Sequence, residues 1–289
     1  MDKFIYYVSI VIYNKECKDS LTCRQLEKIN NSNIRVIIAD NSTEENNNSY
    51  YCYKRNWKYI NMNGNKGLSC AYNKILDEIN CYKNNCFVIW ADDDTEITEN
   101  YFIDLSERLK SGDNSDIYAP IIYDNNDVIY SPNKRRFLKN KLIKSPEEKI
   151  DNKLFNAINS CLAVRISLYK NYRYDERIFM DCVDQKFCED MAKRNIKFSK
   201  INVRINQNFF QRSNSLTAQQ VWTRYKIRIH DFMIYANKNC LYRWLGVIKV
   251  IGWGVEMGIK CKSINLFIKC TCLSVKNAIL LSAKKEIGI

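Results

Sequence analysis

The chain has 289 residues, 46% of them hydrophobic, which allows one large domain, or a domain and an appendage, with a sizeable core. Its net charge of +13 favours an anionic partner, whether nucleotide, nucleic acid or membrane surface, although richness in Lys, Asn, Ile and Tyr is also what an AT-biased genome writes into any protein. No uninterrupted apolar run reaches the ~18 residues that span a bilayer, and the first residues lack the basic, small-residue signature of a secretory signal.

The first elements alternate between two periods. Phe4–Tyr13 reads as a buried strand, and residues 16–30 as a polar amphipathic helix. Ile34–Ala39 is a second strand and ends on Asp40-Asn41-Ser42. Residues 43–56 read as a polar loop rich in Asn and Tyr, and Trp57–Met62 as a short third strand. Gly64 and Gly67 precede a helix over Leu68–Ile79. Phe87–Ala91 is a fourth strand, and it runs straight into Asp92-Asp93-Asp94. Thr98 opens a helix with Glu99 in its first turn, where an acid suits the helix dipole. Strands separated by helices imply parallel βαβ units and a doubly wound α/β sheet.

The later segments are less regular. Asp116–Tyr130 predicts a strand and hairpin turning at Asn125-Asn126. Residues 131–155 carry Lys134, Arg135, Arg136 and Lys139 without a period, as a mobile or functional loop would. Asn156–Arg165 reads as a strand and Cys182–Arg194 as a helix. From Leu241 to Ile289 eight basic residues face two acidic ones, interleaved with Trp244, Trp253 and Phe267. That pattern suits amphipathic helices on an anionic membrane surface, and equally a helix pair packed on the core or on a second subunit. The predicted division is a catalytic domain over 1–237, split at about 95/96, and a basic helical tail over 238–289.

The 13 cysteines are scattered, and Cys70, Cys161 and Cys188 sit in apolar runs. They read as reduced, core-filling thiols. Cys270 and Cys272 lack the second pair that a zinc site needs.

Four strand candidates end on polar groups: Tyr13-Asn14, Asp40-Asn41-Ser42, Asn63-Gly64-Asn65-Lys66-Gly67 and Asp92-Asp93-Asp94. A parallel sheet places these on one edge, where open α/β sheets bind ligands. An aromatic ring there can stack on a base, a carboxylate can accept from a base N–H, and glycines admit a close backbone approach. Three adjacent acids repel one another, and a divalent metal bridging phosphates relieves that repulsion. Taken singly, each is also an ordinary turn or helix cap.

The segments Val8–Asn14, Ile38–Ser42 and Asn65–Asn73 resemble the nucleotide-binding blocks of family 2 glycosyltransferases, and Asp92-Asp93-Asp94 resembles their DxD metal motif. Ile158–Ala163 and Tyr174–Cys188 resemble the acceptor-site block of the rhamnosyl- and galactofuranosyltransferase branch. The resemblance spans roughly residues 5–235 and implies the GT-A fold. It implies nucleotide-sugar binding by Tyr13, Asp40, Asn65, Gly67, Asn73, Asp92 and Asp93, and a Mn²⁺ or Mg²⁺ ion on Asp92, Asp93 and Asp94. It implies Asp184 as general base, with Asp181 the next candidate; as bare sequence, both are equally good caps for the helix that follows.

The implied reaction is inverting transfer from a UDP- or dTDP-linked sugar to a glycan or lipid-linked glycan in surface-polysaccharide synthesis, at the cytoplasmic face of the membrane. A homo-oligomer is compatible with it. Two departures stand out. Lys186 occupies a position where the branch has Glu, which makes the acceptor pocket less acidic. No His follows the last sheet strand; Gln207 or Asn208 substitutes weakly, or a water does, because the sole histidine, His230, comes too late. The competing readings are a nucleic-acid binder, motivated by +13 and 12% aromatics, and an inactive GT-A scaffold. No nucleic-acid motif is present, and the intact acids argue against the scaffold.

Overall fold

A computed structural model describes residues 4–79, 81–207 and 217–286. The chain divides into two compact units. The first comprises Met1–Tyr174 and Asp184–Phe209, the second Asp175–Val183 and Phe210–Ile289. The predicted boundary at 237/238 therefore falls inside the second unit.

The first unit is built on β1 (Ile5–Ile12), α1 (Leu21–Leu26), β2 (Ile34–Asp40), α2 (Asn48–Lys54), β3 (Lys58–Asn61), α3 (Leu68–Glu78), β4 (Cys86–Ala91), α4 (Glu99–Lys110) and β5 (Ile117–Tyr123). β6 (Ile129–Ser131), β7 (Asn133–Lys134), β8 (Lys141–Leu142), β9 (Phe155–Asn156), β10 (Leu162–Arg165), α5 (Val183–Lys193) and β11 (Phe198–Asn206) follow. The main sheet has eight strands in the order β11-β5-β10-β4-β1-β2-β3, with β6 beside β5. β1, β2, β3 and β4 pair in parallel, as expected. β10 runs antiparallel between β4 and β5, so the sheet is mixed.

The chain winds outward from β1 to β3, then crosses back to lay β4 on the other side of β1. That reversal opens a crevice at the carboxyl ends of β1 and β4. All six residues of β4 are buried, because helices cover both faces of a central parallel strand.

Several expectations change. The predicted helix over 16–30 is a 3-10 turn at Cys17–Asp19 followed by the short α1, which Ser20 caps by accepting from Cys23 N. The predicted loop 43–56 contains α2, whose poor helix formers are held by burial of Asn48 and Cys52. The Asn125-Asn126 turn forms as predicted, with the Asp124 carboxylate accepting from Asn126 N and Val128 N at 2.9 and 3.0 Å. The basic stretch 131–155 is tied down rather than free: β8, β7 and β9 form a small antiparallel sheet, Lys134 pairs with Glu148 and Arg135 with Glu189. Cys81 and Cys86 are bonded as a disulfide, against the expectation of thiols throughout, whereas Cys17, Cys23, Cys52, Cys161 and Cys188 are buried thiols.

The second unit consists mainly of α6 (Ala218–Ala236), α7 (Cys240–Lys260) and α8 (Ile264–Glu286). Thr217 and Gln220 form a reciprocal capping box at the start of α6. Glycines set the spacing of α7. A Cβ at Gly246 would lie 2.8 Å from Ala236 Cβ, and one at Gly254 would lie 3.1 Å from Cys270 Cβ. The expected tail helices are present. Ile264–Ala283 is long and apolar enough on average to cross a bilayer, because Lys269 and Lys276 only punctuate it.

Candidate active site

The edge where β1, β2 and β4 end gathers the predicted residues of the first unit. Tyr13 follows β1 and is 53% exposed, an open ring at the rim. Asn14 adopts a left-handed conformation (φ 46°). Its amide donates to Ser42 Oγ at 2.9 Å and its Oδ1 accepts from Thr43 N at 2.8 Å, so the two loops are stitched together.

Asp40, the last residue of β2, is 2% exposed. Its carboxylate accepts from Ser42 N (2.9 Å), Asn48 Nδ2 (3.0 Å) and Tyr59 Oη (3.1 Å). Burial alone would raise its pKa, but the bonds from Ser42, Asn48 and Tyr59 outweigh that and hold it below the usual carboxylate range. Asp40, Ser42, Glu44, Tyr59, Asn61 and Gly64 line a cleft of about 420 Å³. That volume lies within the range of small-molecule sites, roughly 300–1,000 Å³.

The loop into α3 is fixed from β2. Asn41 Nδ2 donates to Gly67 O at 3.2 Å, its Oδ1 accepts from Lys66 N at 3.2 Å, and Asn65 Oδ1 accepts from Gly67 N at 3.1 Å. Gly67 has φ 84°, a conformation that strains any side chain. Asn73, expected at the nucleotide sugar, also ties two segments together. Its amide bridges the backbone of Tyr174 in both directions, at 3.0 and 2.9 Å, in a buried setting. It holds the chain just before the acceptor-site block.

The three aspartates after β4 do not act as one group. Backbone oxygens of Asp92 and Asp93 accept from Thr22 Oγ1 (2.5 Å) and Ser20 Oγ (2.7 Å), which pins the strand exit to the first turn of α1. Asp93 forms an ion pair with Lys15 at 2.5 Å. Asp92 Oδ2 accepts from Ser160 Oγ and, at 2.9 Å, from Gln207 Nε2. The same Gln207 nitrogen lies 3.4 Å from Asp94 Oδ1. Desolvation at this crowded strand end, followed by the charges of Asp92 and Asp93, raises the Asp94 carboxyl above its ordinary value. Asp94 itself remains exposed, so its carboxylate can be reached from outside.

Among the described residues no three His, Cys, Asp or Glu side chains form a ready-made metal cage. The donor set nevertheless fits a hard cation. Gln207 Oε1 is buried and has no partner, and it belongs to the amide that already joins Asp92 to Asp94. Two carboxylates suit Mg²⁺ or Mn²⁺ rather than zinc, and the Gln207 amide, which presents its nitrogen to both, would add an oxygen ligand once turned over. Gln207, Ser160 and Lys15 thus join a site that the strand ends alone did not reveal; Asn208 lies outside the described residues.

The two base candidates differ. Asp184 opens α5 and accepts from Gln185 N at 2.8 Å. The buried Tyr72 hydroxyl is kept neutral by burial first and then by the charges of Asp92 and Asp184, which places both carboxylates in one neighbourhood. Asp181, in the second unit, is held by both terminal nitrogens of Arg224, one at 2.9 Å. The adjoining backbone amides of Phe179, Met180 and Asp181 all donate to Asp231, a fully buried carboxylate on α6, at 2.7–2.9 Å. Lys186 pairs with Asp190 one turn along its own helix, so its charge is compensated locally.

A mostly parallel sheet whose order reverses beside paired carboxylates is the frame of the GT-A glycosyltransferases, and that is the class of this protein. The sequence profile described as Glycosyl transferase family 2 matches residues 7–173, more than half of the chain, so the protein belongs to that family. No curated protein matches it. Among solved structures it is similar to S. aureus TarS (residues 1–349) in complex with UDP, with 12% identity, TM-score 0.50, and 99% of this chain and 92% of that one covered. It is also similar to the mannosyltransferase PcManGT from Pyrobaculum calidifontis in complex with GDP-Man and Mn²⁺ (9% identity, TM-score 0.53, 96% and 86% covered). A third is glucosyl-3-phosphoglycerate synthase from Mycobacterium tuberculosis in complex with Mn²⁺, UDP and phosphoglyceric acid (10% identity, TM-score 0.51, 78% and 77% covered).

The Asp40 cleft carries a prediction. Asp40→Ala weakens nucleoside diphosphate binding by about 1.5–3 kcal/mol, the value of a hydrogen bond to a charged group. Calorimetry with UDP, dTDP and GDP reads it, and unchanged affinity for all three removes Asp40 from base recognition.

Proposed function

We propose that the protein is a metal-dependent inverting glycosyltransferase. It moves a sugar from a UDP- or dTDP-linked donor to a hydroxyl of a glycan or lipid-linked glycan in surface-polysaccharide synthesis. The observation that carries this reading is the Asp92–Gln207–Asp94 cluster at the topological reversal, where two carboxylates converge on one amide. The Mn²⁺ and nucleotides bound by PcManGT and by glucosyl-3-phosphoglycerate synthase support it.

The base of the donor enters the Asp40 cleft beside Tyr13, and the Asn65–Gly67 loop lets backbone approach the diphosphate. Asp92, Asp94 and Gln207 are the residues that would hold the cation, which when bound stabilises charge developing on the leaving diphosphate. Asp184 takes the proton of the acceptor hydroxyl as its oxygen bonds to the anomeric carbon. The bond from that carbon to the diphosphate oxygen breaks on the opposite face, so configuration inverts. Asp181, committed to Arg224, orders its segment. We place the protein peripherally at the cytoplasmic face of a membrane, through the basic apolar helices of its second unit.

Thermal shift with UDP, dTDP and GDP tests the reading. A nucleoside diphosphate raises the melting temperature more with Mn²⁺ than without it. A response to oligonucleotides alone would favour the nucleic-acid reading.

A further inference from the structure

The second unit sorts its surface by helix. α6 exposes Gln219, Gln220, Thr223, Lys226 and His230, all polar. α7 exposes mainly apolar side chains: Leu241, Trp244, Ile248, Val255 and Ile259, Trp244 by 46% and Ile259 by 75%, with the acid Glu256 at the edge of the row. Exposed Gly252 fills the one gap, so the stripe advances 18 residues in five steps. That spacing matches the 3.6-residue period of the α-helix itself. The opposite face of α7, with Gly246, Val247, Val250 and Gly254, is buried. α8 behaves likewise, burying Leu266, Cys270, Ser274 and Ala278 while exposing Ile264, Ile268, Ile279 and Leu280.

A stripe with the helix's own period runs straight along it. A seam for a supercoiled partner helix repeats every 3.5 residues, half a residue different over this length, so spacing alone admits a flat surface or a partner helix. Charge decides between them. Lys260 and Lys262, at the turn between the helices, and Lys276 on α8 are exposed and outnumber the exposed acid Glu256. A second copy of this chain would bring a second set of the same cations to the interface, whereas anionic headgroups neutralise them. α8 is long enough to span a bilayer, but one of its rows is packed against protein and Lys276 stands on its open face, so it lies along the surface.

We propose that α7 and α8 form a paired in-plane anchor whose exposed α7 stripe inserts at the headgroup–acyl boundary of an anionic bilayer. This deepens the membrane placement proposed above by naming the inserting face. The test reads lipid binding without activity, so its failure leaves the glycosyltransferase reading intact.

The full chain is mixed with vesicles of phosphatidylcholine alone or with phosphatidylglycerol, and floated at low and high salt. Brominated phosphatidylcholine serves as a quencher of tryptophan fluorescence. The protein floats with the anionic vesicles, less so at high salt, and is quenched; Trp244→Phe loses most of the quenching. The double variant Ile248→Glu, Val255→Glu keeps its circular dichroism and melting temperature, because both sites are exposed, and no longer floats. Thr223→Glu, on polar α6, floats like the parent. Flotation of the double variant at the parental level, or full quenching in Trp244→Phe, overturns the proposal. So does a dimer, seen by sedimentation, that the double variant splits while the parent ignores lipid.

Discussion

Replacing Asp94 by Ala abolishes sugar transfer and leaves the protein folded. Asp94 is exposed at the end of β4, and its side chain reaches Gln207 only through a long contact, so little packing is lost. What disappears is one of two carboxylates flanking the amide of Gln207. A bound cation supplies several kcal/mol of stabilisation to a departing dianion. Since about 1.4 kcal/mol is tenfold in rate, a fall of about a hundredfold or more is expected. Asp92→Ala shows the same fall together with a lower melting temperature, because Ser160 and Gln207 also lose their acceptor. Donor hydrolysis and transfer are measured with Mn²⁺ in excess and with EDTA. Full activity of both variants, or full activity in EDTA, removes the cation from the mechanism.

The second large effect belongs to Asp184. Asp184→Asn keeps shape and polarity but cannot accept the acceptor's proton, so transfer drops roughly 10²–10⁴-fold while nucleotide affinity holds. Asp181→Asn has a different signature. It weakens the paired bonds to Arg224, and the loss shows first in the melting temperature. If Asp181→Asn stops transfer and Asp184→Asn does not, the two roles are exchanged.

The frame of the site was legible because its signals are local. An apolar run that stops on a polar group announces a buried strand delivering a polar end, and four such runs in series imply one sheet edge. Residues that act across the sheet were legible only in part. The family resemblance offered Gln207 as a substitute for the missing His, but nothing near it in sequence shows β11 carrying it to the end of β4, 115 residues away. Asn48 and Tyr59, which donate to the Asp40 carboxylate from neighbouring elements, carried no sequence signal. α2 was missed because its stability comes from burial, against the propensity of its Asn and Tyr residues. The block resemblance gave the position of Asn73, but could not show that its amide also bridges the backbone of Tyr174.

The Asp231 cradle has a consequence for how this segment can change over time. Three consecutive peptide groups are gripped by one carboxylate, so the path of Phe179–Asp181 is fixed through main chain alone. Met180, 36% exposed, can be exchanged without redirecting that path. A mutational drift that would disorder an ordinary loop here alters only what the loop displays. Loss of Asp231 itself would release all three peptides at once, so that one aspartate, remote in sequence, is the position on which the tolerance of its neighbours depends.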